Sequence, residues 1–194
     1  MIGVRLLPLL AADGHEVAAM TRSPEKSDRL RELGGEPVVC DVFDSARLSR
    51  IVDEFSPELV FHQVTDLPDD PSEIGQFRAR NDRMRSEGTR NLLAAAETAG
   101  AEKVIAQSIA WDLPDQGAQS TVAQHEHAVL EQNGVVVRYG QLYGPDTFYV
   151  DRPPPPPRAN VDEAARLTLQ TLDAEPRTIL VVDEDGVREA RPRH

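Results

Sequence analysis

Short apolar runs alternate along the chain with longer segments whose apolar residues recur at helical spacing. The helical segments are residues 2–13, 24–33, 45–55, 77–99, 121–131 and 161–172, and the apolar runs are residues 15–21, 36–41, 58–62, 103–108, 134–139 and 178–182. Continuous apolar strands separated by helices are typical of a parallel sheet that is covered on both faces. The pattern therefore predicts an α/β fold with a doubly wound, mostly parallel, Rossmann-like sheet.

The chain begins on a helical pattern. Residues 1–10 show no strand, no capping residue and no signal-peptide charge pattern before the first helical turn. An α/β domain normally begins with a strand, so we interpret the sequence as lacking its first strand.

Composition narrows the classes of partner. The chain carries 33 acidic residues against 21 Lys and Arg, a formal net charge of −12, which argues against binding to nucleic acid or to an anionic membrane surface. Hydrophobic residues make up 40% of the chain, enough for a sizeable core. The single cysteine, Cys40, excludes an internal disulfide framework and a Cys-rich metal site, and it favours a cytoplasmic location.

Ligands of a doubly wound sheet bind beyond the carboxyl ends of its strands. Thr21, Arg22 and Ser23 follow one predicted strand, and no acidic residue is among them. An acid at this place would bind a ribose hydroxyl of NAD, whereas Arg22 accommodates the 2′-phosphate of NADP. NADP is therefore the expected cofactor and NAD the less favoured one; the alternative is an ordinary solvated arginine at a helix start. Other candidates at strand ends are Asp41, Val42, Gln63, Ser108 and Tyr139.

Histidine and tyrosine side chains are weaker candidates for metal binding and for proton transfer. His125 and His127 are two residues apart on a predicted helix, so they do not share a face, and we expect a solvated surface and no metal site. Ser108 and His125 form a nucleophile–base pair only if they meet in space, and the alternative is a plain hydrogen-bonded serine. Tyr139 and Tyr143 are candidate proton donors, with structural roles as the alternative.

Two loops have distinctive composition. Asp66, Asp69 and Asp70 form an acidic loop that we expect to be solvated. Five consecutive prolines at 153–157 predict a stiff polyproline connector, with a ligand for a proline-recognising domain as the alternative.

Several stretches resemble, in order, segments of the extended and atypical short-chain dehydrogenase/reductase superfamily, in its NAD-dependent epimerase/dehydratase group. They are GHEVAAMTRS at 14–23, EPVVCDVFD at 36–44, the helix at 81–99, QS at 107–108, RYGQLYGP at 138–145 and VDEAA at 161–165. The resemblance implies a protein that uses NAD(P) for hydride transfer on a small molecule or nucleotide. It also implies a homodimer formed through the helices at 77–99 and 121–131.

Within this resemblance, the expected cofactor-binding residues are Gly3, Thr21, Arg22, Ser23, Asp41, Val42, Gln63 and Tyr139. Ser108 and Tyr143 are the expected catalytic residues. We divide the chain into a nucleotide-binding core at 1–150, a proline-rich connector at 151–160 in place of a substrate lobe, and a terminal helix and strand at 161–194 with a disordered tail.

The sequence departs from the family at two places. Only the last glycine of the family's glycine-rich phosphate loop remains, as Gly3, and the first strand is absent. The family's Tyr and Lys acid–base pair falls on Ala118 and Val122. The sequence therefore supports an NAD(P)-dependent oxidoreductase or epimerase-like protein, degenerate in these features. The alternatives are a non-catalytic NADP-sensing or scaffold protein and a truncated gene product.

Overall fold

The computed structural model describes residues 1–68 and 70–193. Its helices are α1 (Ile2–Ala12), α2 (Ser27–Glu32), α3 (Ser45–Phe55), α4 (Ile74–Arg83), α5 (Thr89–Thr98), α6 (Gln116–Glu131) and α7 (Val161–Thr168). Its strands are β1 (Ala18–Thr21), β2 (Glu36–Val39), β3 (Leu59–His62), β4 (Lys103–Ile109), β5 (Val135–Tyr139), β6 (Gln141–Tyr143), β7 (Arg158–Asn160), β8 (Ile179–Asp183) and β9 (Gly186–Glu189). Every predicted helix and strand has a counterpart, which confirms the α/β prediction.

The main sheet has the strand order β3-β4-β5-β8-β9. Its first four strands are parallel, and β9 pairs antiparallel with β8. Strands β1 and β2 form a separate parallel pair. Among the described residues no strand pairs with both β1 and β3.

Helices cover both faces of the main sheet. Ile105 of β4 packs in a cluster with Leu6 of α1 and Val161 of α7. Its neighbours Val104 and Ala106 pack in a second cluster with residues of α5 and α6. Alternate side chains of a strand point to opposite faces, so β4 carries core residues on both sides. None of the helices in the described part of the chain is long and apolar enough to span a bilayer.

The helix predicted at 77–99 is interrupted. A π-helical turn at Met84–Gly88 joins α4 to α5. Gly88 leaves room there for the Met84 side chain, since a Cβ atom would lie 2.8 Å from the Met84 sulfur. Helix α3 is capped by Asp44, whose side chain accepts the hydrogen bond from the backbone N–H of Arg47 at 3.1 Å.

Three short strands were not predicted. Strands β6 and β7 form a parallel pair, and β7 lies at the end of the proline-rich segment. Gly140 makes this approach feasible, because a Cβ atom there would lie 2.7 Å from the backbone of Arg158. The tail after residue 182, predicted to be disordered, instead contains β9 and continues to Arg193, which binds Glu126.

Candidate functional site

The end of β3 lies beside the first turn of α1. A Cβ atom on Gly3 would lie 3.6 Å from the Cβ atom of Gln63, the residue that follows β3. The N-terminus of a helix carries partial positive charge on its free N–H groups, which favours anionic ligands. Two of the predicted cofactor-binding residues are therefore neighbours at one edge of the sheet.

The side chain of Gln63 is held in one orientation by a chain of hydrogen bonds. The Thr168 hydroxyl donates to the Ala164 carbonyl oxygen at 2.6 Å, so it accepts from the Tyr139 hydroxyl at 2.8 Å. The Tyr139 oxygen then accepts from Nε2 of Gln63 at 3.5 Å. This directionality leaves Oε1 of Gln63 as an acceptor, and that atom is buried without a hydrogen-bond partner among the described residues. An unpaired buried acceptor of this kind is a place for a hydroxyl or N–H donor of a ligand.

Tyr139 and Val42 are both buried in the structure. Tyr139 is 3% exposed, and its burial raises the pKa of the phenol to about 12. The phenol is therefore neutral and serves to orient Gln63. Val42 packs in a hydrophobic cluster below the strand ends, and its carbonyl oxygen accepts from Nδ2 of Asn91 at 3.0 Å.

A polar cavity of about 210 Å³ lies at the ends of β1, β2 and β3. We call it the arginine pocket; its lining residues are Arg22, Asp41, Phe43, Asp66, Arg80 and Arg83. Arg22 and Asp41 are predicted cofactor-binding residues, and both are exposed. The neighbouring Ser23 donates its backbone N–H to the Thr21 hydroxyl oxygen at 3.1 Å, which shapes the turn after β1.

Asp66 is the buried centre of the arginine pocket. Its carboxylate accepts from Arg22 at 3.2 Å and from both Nε and Nη2 of Arg80, at 3.1 and 3.0 Å. The prediction that Asp66 is solvated is therefore wrong, because two guanidinium groups compensate its burial. Asp70 is exposed, as predicted, and accepts from the backbone N–H of Ser72; Asp69 lies outside the described residues.

Ser108 belongs to a second ionic cluster. Its hydroxyl donates to Oε1 of Glu126 at 2.6 Å, and Arg138 and Arg193 donate to the same carboxylate. Burial would raise the pKa of Glu126, but the hydrogen bonds from Arg138 and Ser108 outweigh it and hold the pKa below its usual value. Ser108 is thus anchored by a carboxylate. Tyr143 lies on β6, and no hydrogen bond among the described residues joins it to Ser108.

His125 bonds other groups, so the condition for a Ser108–His125 pair is not met, and Ser108 is the hydrogen-bonded serine of the alternative. Nε2 of His125 donates to the Gln107 carbonyl oxygen at 2.9 Å, and its Nδ1 lies 2.8 Å from the Thr89 hydroxyl. The Thr89 hydroxyl in turn lies 2.9 Å from Nε2 of His62. His125 is 4% exposed, so the prediction of a solvated helix face holds for His127 and fails for His125. Within the described ranges no group of three or more His, Cys, Asp and Glu residues could hold a metal ion.

The two positions that the resemblance assigns to the family's acid–base pair are residues 118 and 122. Ala118 and Val122 are both buried on α6. Residues 112–130 contain neither Tyr nor Lys, so this helix offers the cleft no phenol or ammonium group.

Sequence reasoning missed Phe43, Arg80, Arg83, Glu126 and Arg193. The three-residue spacing of Arg80 and Arg83 on a helix was a usable signal, since residues three apart share a face. Arg193 gave no signal, because it meets Glu126 across 67 residues of chain.

Comparisons with known proteins agree with this architecture. A family model described as NAD(P)H-binding matches residues 1–139. A 3-diazoavenalumate denitrifying reductase from a Streptomyces species is 36% identical over 175 residues, covering 77% of this chain and 55% of that protein. The chain thus spans about half the length of that relative.

Solved structures share the fold at low sequence identity. The UDP-glucose 4-epimerase of Thermus thermophilus in complex with NAD has a TM-score of 0.75 and 20% identity, over 97% of this chain and 76% of that one. The UDP-Glc/GlcNAc 4-epimerase of Campylobacter jejuni has a TM-score of 0.77 and 12% identity, over 97% and 77%.

Proposed function

The chain belongs to the NAD(P)H-binding family, and from that membership we propose that it is an NADPH-dependent reductase. The observation that carries the proposal is the edge of the sheet where Gly3, Gln63 and the arginine pocket lie. Those groups fit a dinucleotide: a helix N-terminus for phosphate, an unpaired buried acceptor for a hydroxyl, and guanidinium groups for a further phosphate.

Each end of the cofactor has candidate residues. The exposed Arg22 would contact the 2′-phosphate of NADPH, and Asp41 and Phe43 line the same pocket. Oε1 of Gln63 would accept from a hydroxyl of the cofactor, because it lies beside Gly3 and is unpaired. Thr21 and Ser23 would hold the loop that carries Arg22 through their mutual hydrogen bond.

The absence of the acid–base pair points to a reduction that needs no proton from the protein. Bound NADPH supplies a hydride to an electrophilic carbon of the substrate. A carbonyl carbon that accepts hydride leaves an alkoxide, which must be protonated. A diazonium carbon that accepts hydride loses dinitrogen, so the products are the arene, N₂ and NADP⁺, and no proton has to be donated. Ala118 and Val122 are compatible with the second type of substrate.

The Streptomyces relative, named as a denitrifying reductase of a diazo compound, supports this choice. We therefore propose that the substrate is an aromatic diazo compound and that the reaction replaces its nitrogen by hydrogen. Ser108, fixed by Glu126, and Tyr143 are the candidate polar groups that would orient such a substrate.

A second candidate is a non-catalytic NADPH sensor. The apolar side chains of Ala118 and Val122 favour this candidate, because a helix without an acid–base pair suits cofactor binding without turnover. Binding of the cofactor is common to both candidates, and turnover of a diazo substrate distinguishes them.

The test uses the full chain, NADPH deuterated at the transferable position, and an aryldiazonium salt. The expected result is NADPH consumption with one deuterium in the arene at the carbon that carried nitrogen. Heat-denatured protein controls for direct reduction in solution. Saturable NADPH binding without deuterium transfer supports the sensor, and interconversion of UDP-sugars in a parallel reaction supports an epimerase.

A further inference from the structure

We propose that the Asp66 carboxylate takes the part of the cofactor's 2′-phosphate as the shared hydrogen-bond acceptor of Arg22 and Arg80. Arg22 and Arg80 then exchange a carboxylate for a phosphate when NADPH binds, and Arg80 and Asp66 determine the preference for NADPH over NADH. The inference rests on the proposed use of NADPH and assigns roles to two residues that the sequence did not single out for this purpose.

The exposed fractions of Asp66, Arg22 and Arg80 distinguish a buried side of the arginine pocket, called its back, from a solvent-facing side, called its front. The Asp66 side chain is 7% exposed, whereas those of Arg22 and Arg80 are 52% and 51% exposed. The carboxylate thus lies at the back, and both guanidinium groups extend from it toward solvent. A ligand that enters from the front meets the two cations before it meets the anion.

Separate elements hold the three groups together. Arg22 follows β1, Asp66 follows β3, and Arg80 is on α4, so the pocket depends on the fold and not on one local turn. The backbone N–H of Asp66 donates to Oδ1 of Asn81 at 3.3 Å, which fixes the loop next to Arg80. The guanidinium groups are therefore held at a set separation before any ligand arrives.

Arg83 forms the wall of the pocket and is not part of the exchange. It donates two hydrogen bonds to Glu87, at 2.7 and 3.1 Å, and it stacks 3.9 Å from the ring centroid of Phe43. Its charge is already compensated by a neighbouring carboxylate. Arg22 and Arg80 share the single carboxylate of Asp66, so these three groups together carry one positive charge in excess. The other carboxylate of the pocket, Asp41, is exposed and acts on Arg83.

A 2′-phosphate matches that excess charge. A phosphate monoester carries about −1.5 to −2 charges and three acceptor oxygens, against one charge and two oxygens for a carboxylate. Planar guanidinium groups bind such groups through paired hydrogen bonds. A ribose hydroxyl, as in NADH, offers no charge to displace Asp66, so it leaves the ion pairs intact.

The test measures calorimetric binding of adenosine 2′,5′-bisphosphate and adenosine 5′-monophosphate to the chain of 194 residues. Arg80→Gln is expected to weaken the bisphosphate about tenfold or more and to leave the monophosphate unchanged, because one charge-assisted contact is lost. Asp66→Asn is expected to strengthen the bisphosphate about tenfold, because the phosphate no longer competes with a carboxylate.

Arg78→Gln is the matched control. Arg78 is on the same helix and pairs with Asp115 outside the pocket, so this variant reports the loss of one distant positive charge. An equal loss of both ligands in Arg80→Gln, or weaker bisphosphate binding in a folded Asp66→Asn protein, overturns the inference. If Asp66→Asn fails to fold, Arg80→Gln alone decides.

Failure of this inference is separate from failure of the proposed function. Neither adenosine ligand carries a nicotinamide, so their binding does not depend on catalysis. A chain that reduces its substrate with NADPH but binds the bisphosphate equally well with and without Arg80 contradicts the exchange only. A chain with no reductase activity but the expected binding pattern contradicts the reductase only.

Discussion

Arg138 and Glu126 form a bidentate ion pair in the protein interior. Nε and Nη2 of Arg138 lie 2.8 and 2.5 Å from the two oxygens of the Glu126 carboxylate, and the side chains are 8% and 4% exposed. Arg193 and Ser108 donate to the same carboxylate. The pair thus joins β5 to α6 and to the end of the chain, directly behind the edge where the candidate catalytic serine lies.

Glu126→Gln should be strongly destabilising. The change leaves the buried Arg138 without a counter-charge, and breaking a buried pair in this way costs about 3–5 kcal/mol of unfolding free energy. Arg193 keeps a second acidic partner, Asp112, at 3.4 Å. Urea denaturation measures the loss. Glu163→Gln is the matched control, because Glu163 pairs with Arg166 at the surface and should cost no more than about 1 kcal/mol. Equal losses for the two variants would show that the buried pair contributes no more than a surface pair.

The same pair predicts a pH dependence. The folded pKa of Glu126 lies below its ordinary value of 4.5. A depressed folded pKa means that the contribution to stability is complete above about pH 4.5 and is lost as the pH falls through the folded pKa. The stability difference between the native chain and Glu126→Gln should therefore be constant near neutral pH and shrink in acid. Denaturation curves at several pH values check this; a difference that grows in acid would contradict it.

The buried histidines predict a second acid-sensitive element. The Gln107 carbonyl can only accept, so Nε2 of His125 carries a proton. Burial lowers the pKa of this ring and keeps it neutral, so its Nδ1 accepts from the Thr89 hydroxyl. Thr89 must then accept from Nε2 of His62, whose Nδ1 faces the backbone N–H of Val64. Both rings are therefore neutral with the proton on Nε2, an arrangement that nitrogen NMR chemical shifts can verify. A proton on Nδ1 of either ring would contradict the directed chain.

Acid should weaken the fold through these rings. Burial lowers the pKa of His62 from 6.5 to about 3, with His125 as a second cause. The unfolded chain then binds more protons than the folded one between about pH 6.5 and 3, so stability falls as the pH is lowered across that range. His62→Asn should flatten this part of the stability profile. An unchanged slope would show that His62 is not the group that titrates.

Thr89→Val tests the hydroxyl that links the two rings. The substitution keeps the shape but leaves one ring donor and one ring acceptor unpaired, each at a cost of about 1–3 kcal/mol. Thermal or urea unfolding gives the measurement. Thr98→Val is a suitable control, since that hydroxyl is exposed and donates only to the Ala94 carbonyl of its own helix. A loss no larger than in the control would mean that the rings find other partners.

The sequence predicted the elements that depend on local pattern. Buried strands such as β5 and β8 are continuous apolar runs, and Arg22 and Gln63 follow strands whose carboxyl ends lie on one edge. Strands β6 and β7 escaped prediction because they have three residues each and include polar side chains. The burial of Asp66 could not be predicted either, since it depends on arginines 44 residues before it and 14 residues after it.

Gln63→Leu should weaken cofactor binding without loss of stability. Oε1 of Gln63 has no partner among the described residues, and Nε2 makes only a long hydrogen bond of 3.5 Å to Tyr139, so loss of the amide costs the folded protein little. A bound hydroxyl, in contrast, loses its acceptor. We expect about tenfold weaker NADPH binding, measured by fluorescence titration. Tyr139→Phe, which removes the group that orients Gln63, should have a smaller effect of the same sign. Unchanged NADPH affinity in Gln63→Leu would remove Gln63 from the site.

Arg193→Gln should loosen the edge of the sheet that carries Ser108. Arg193 donates to the backbone carbonyls of Ile109 and Trp111, at 2.6 and 3.1 Å, as well as to Glu126. Its loss should cost about 1–3 kcal/mol, because the Glu126 charge keeps its other donors while the two carbonyls lose theirs. Trp111 is the chain's single tryptophan, so its fluorescence reports the change locally.

Arg191→Gln separates this effect from the general loss of a positive charge near the end of the chain. Arg191 contributes its backbone carbonyl to Arg138, at 2.9 Å, and that contact survives a change of side chain. The control should therefore keep the native Trp111 emission and the native rate of amide exchange in residues 108–111. Since Arg193 holds the carbonyls of Ile109 and Trp111 directly, only its variant should show faster exchange there. Equal behaviour of the two variants would mean that the end of the chain does not fix this edge.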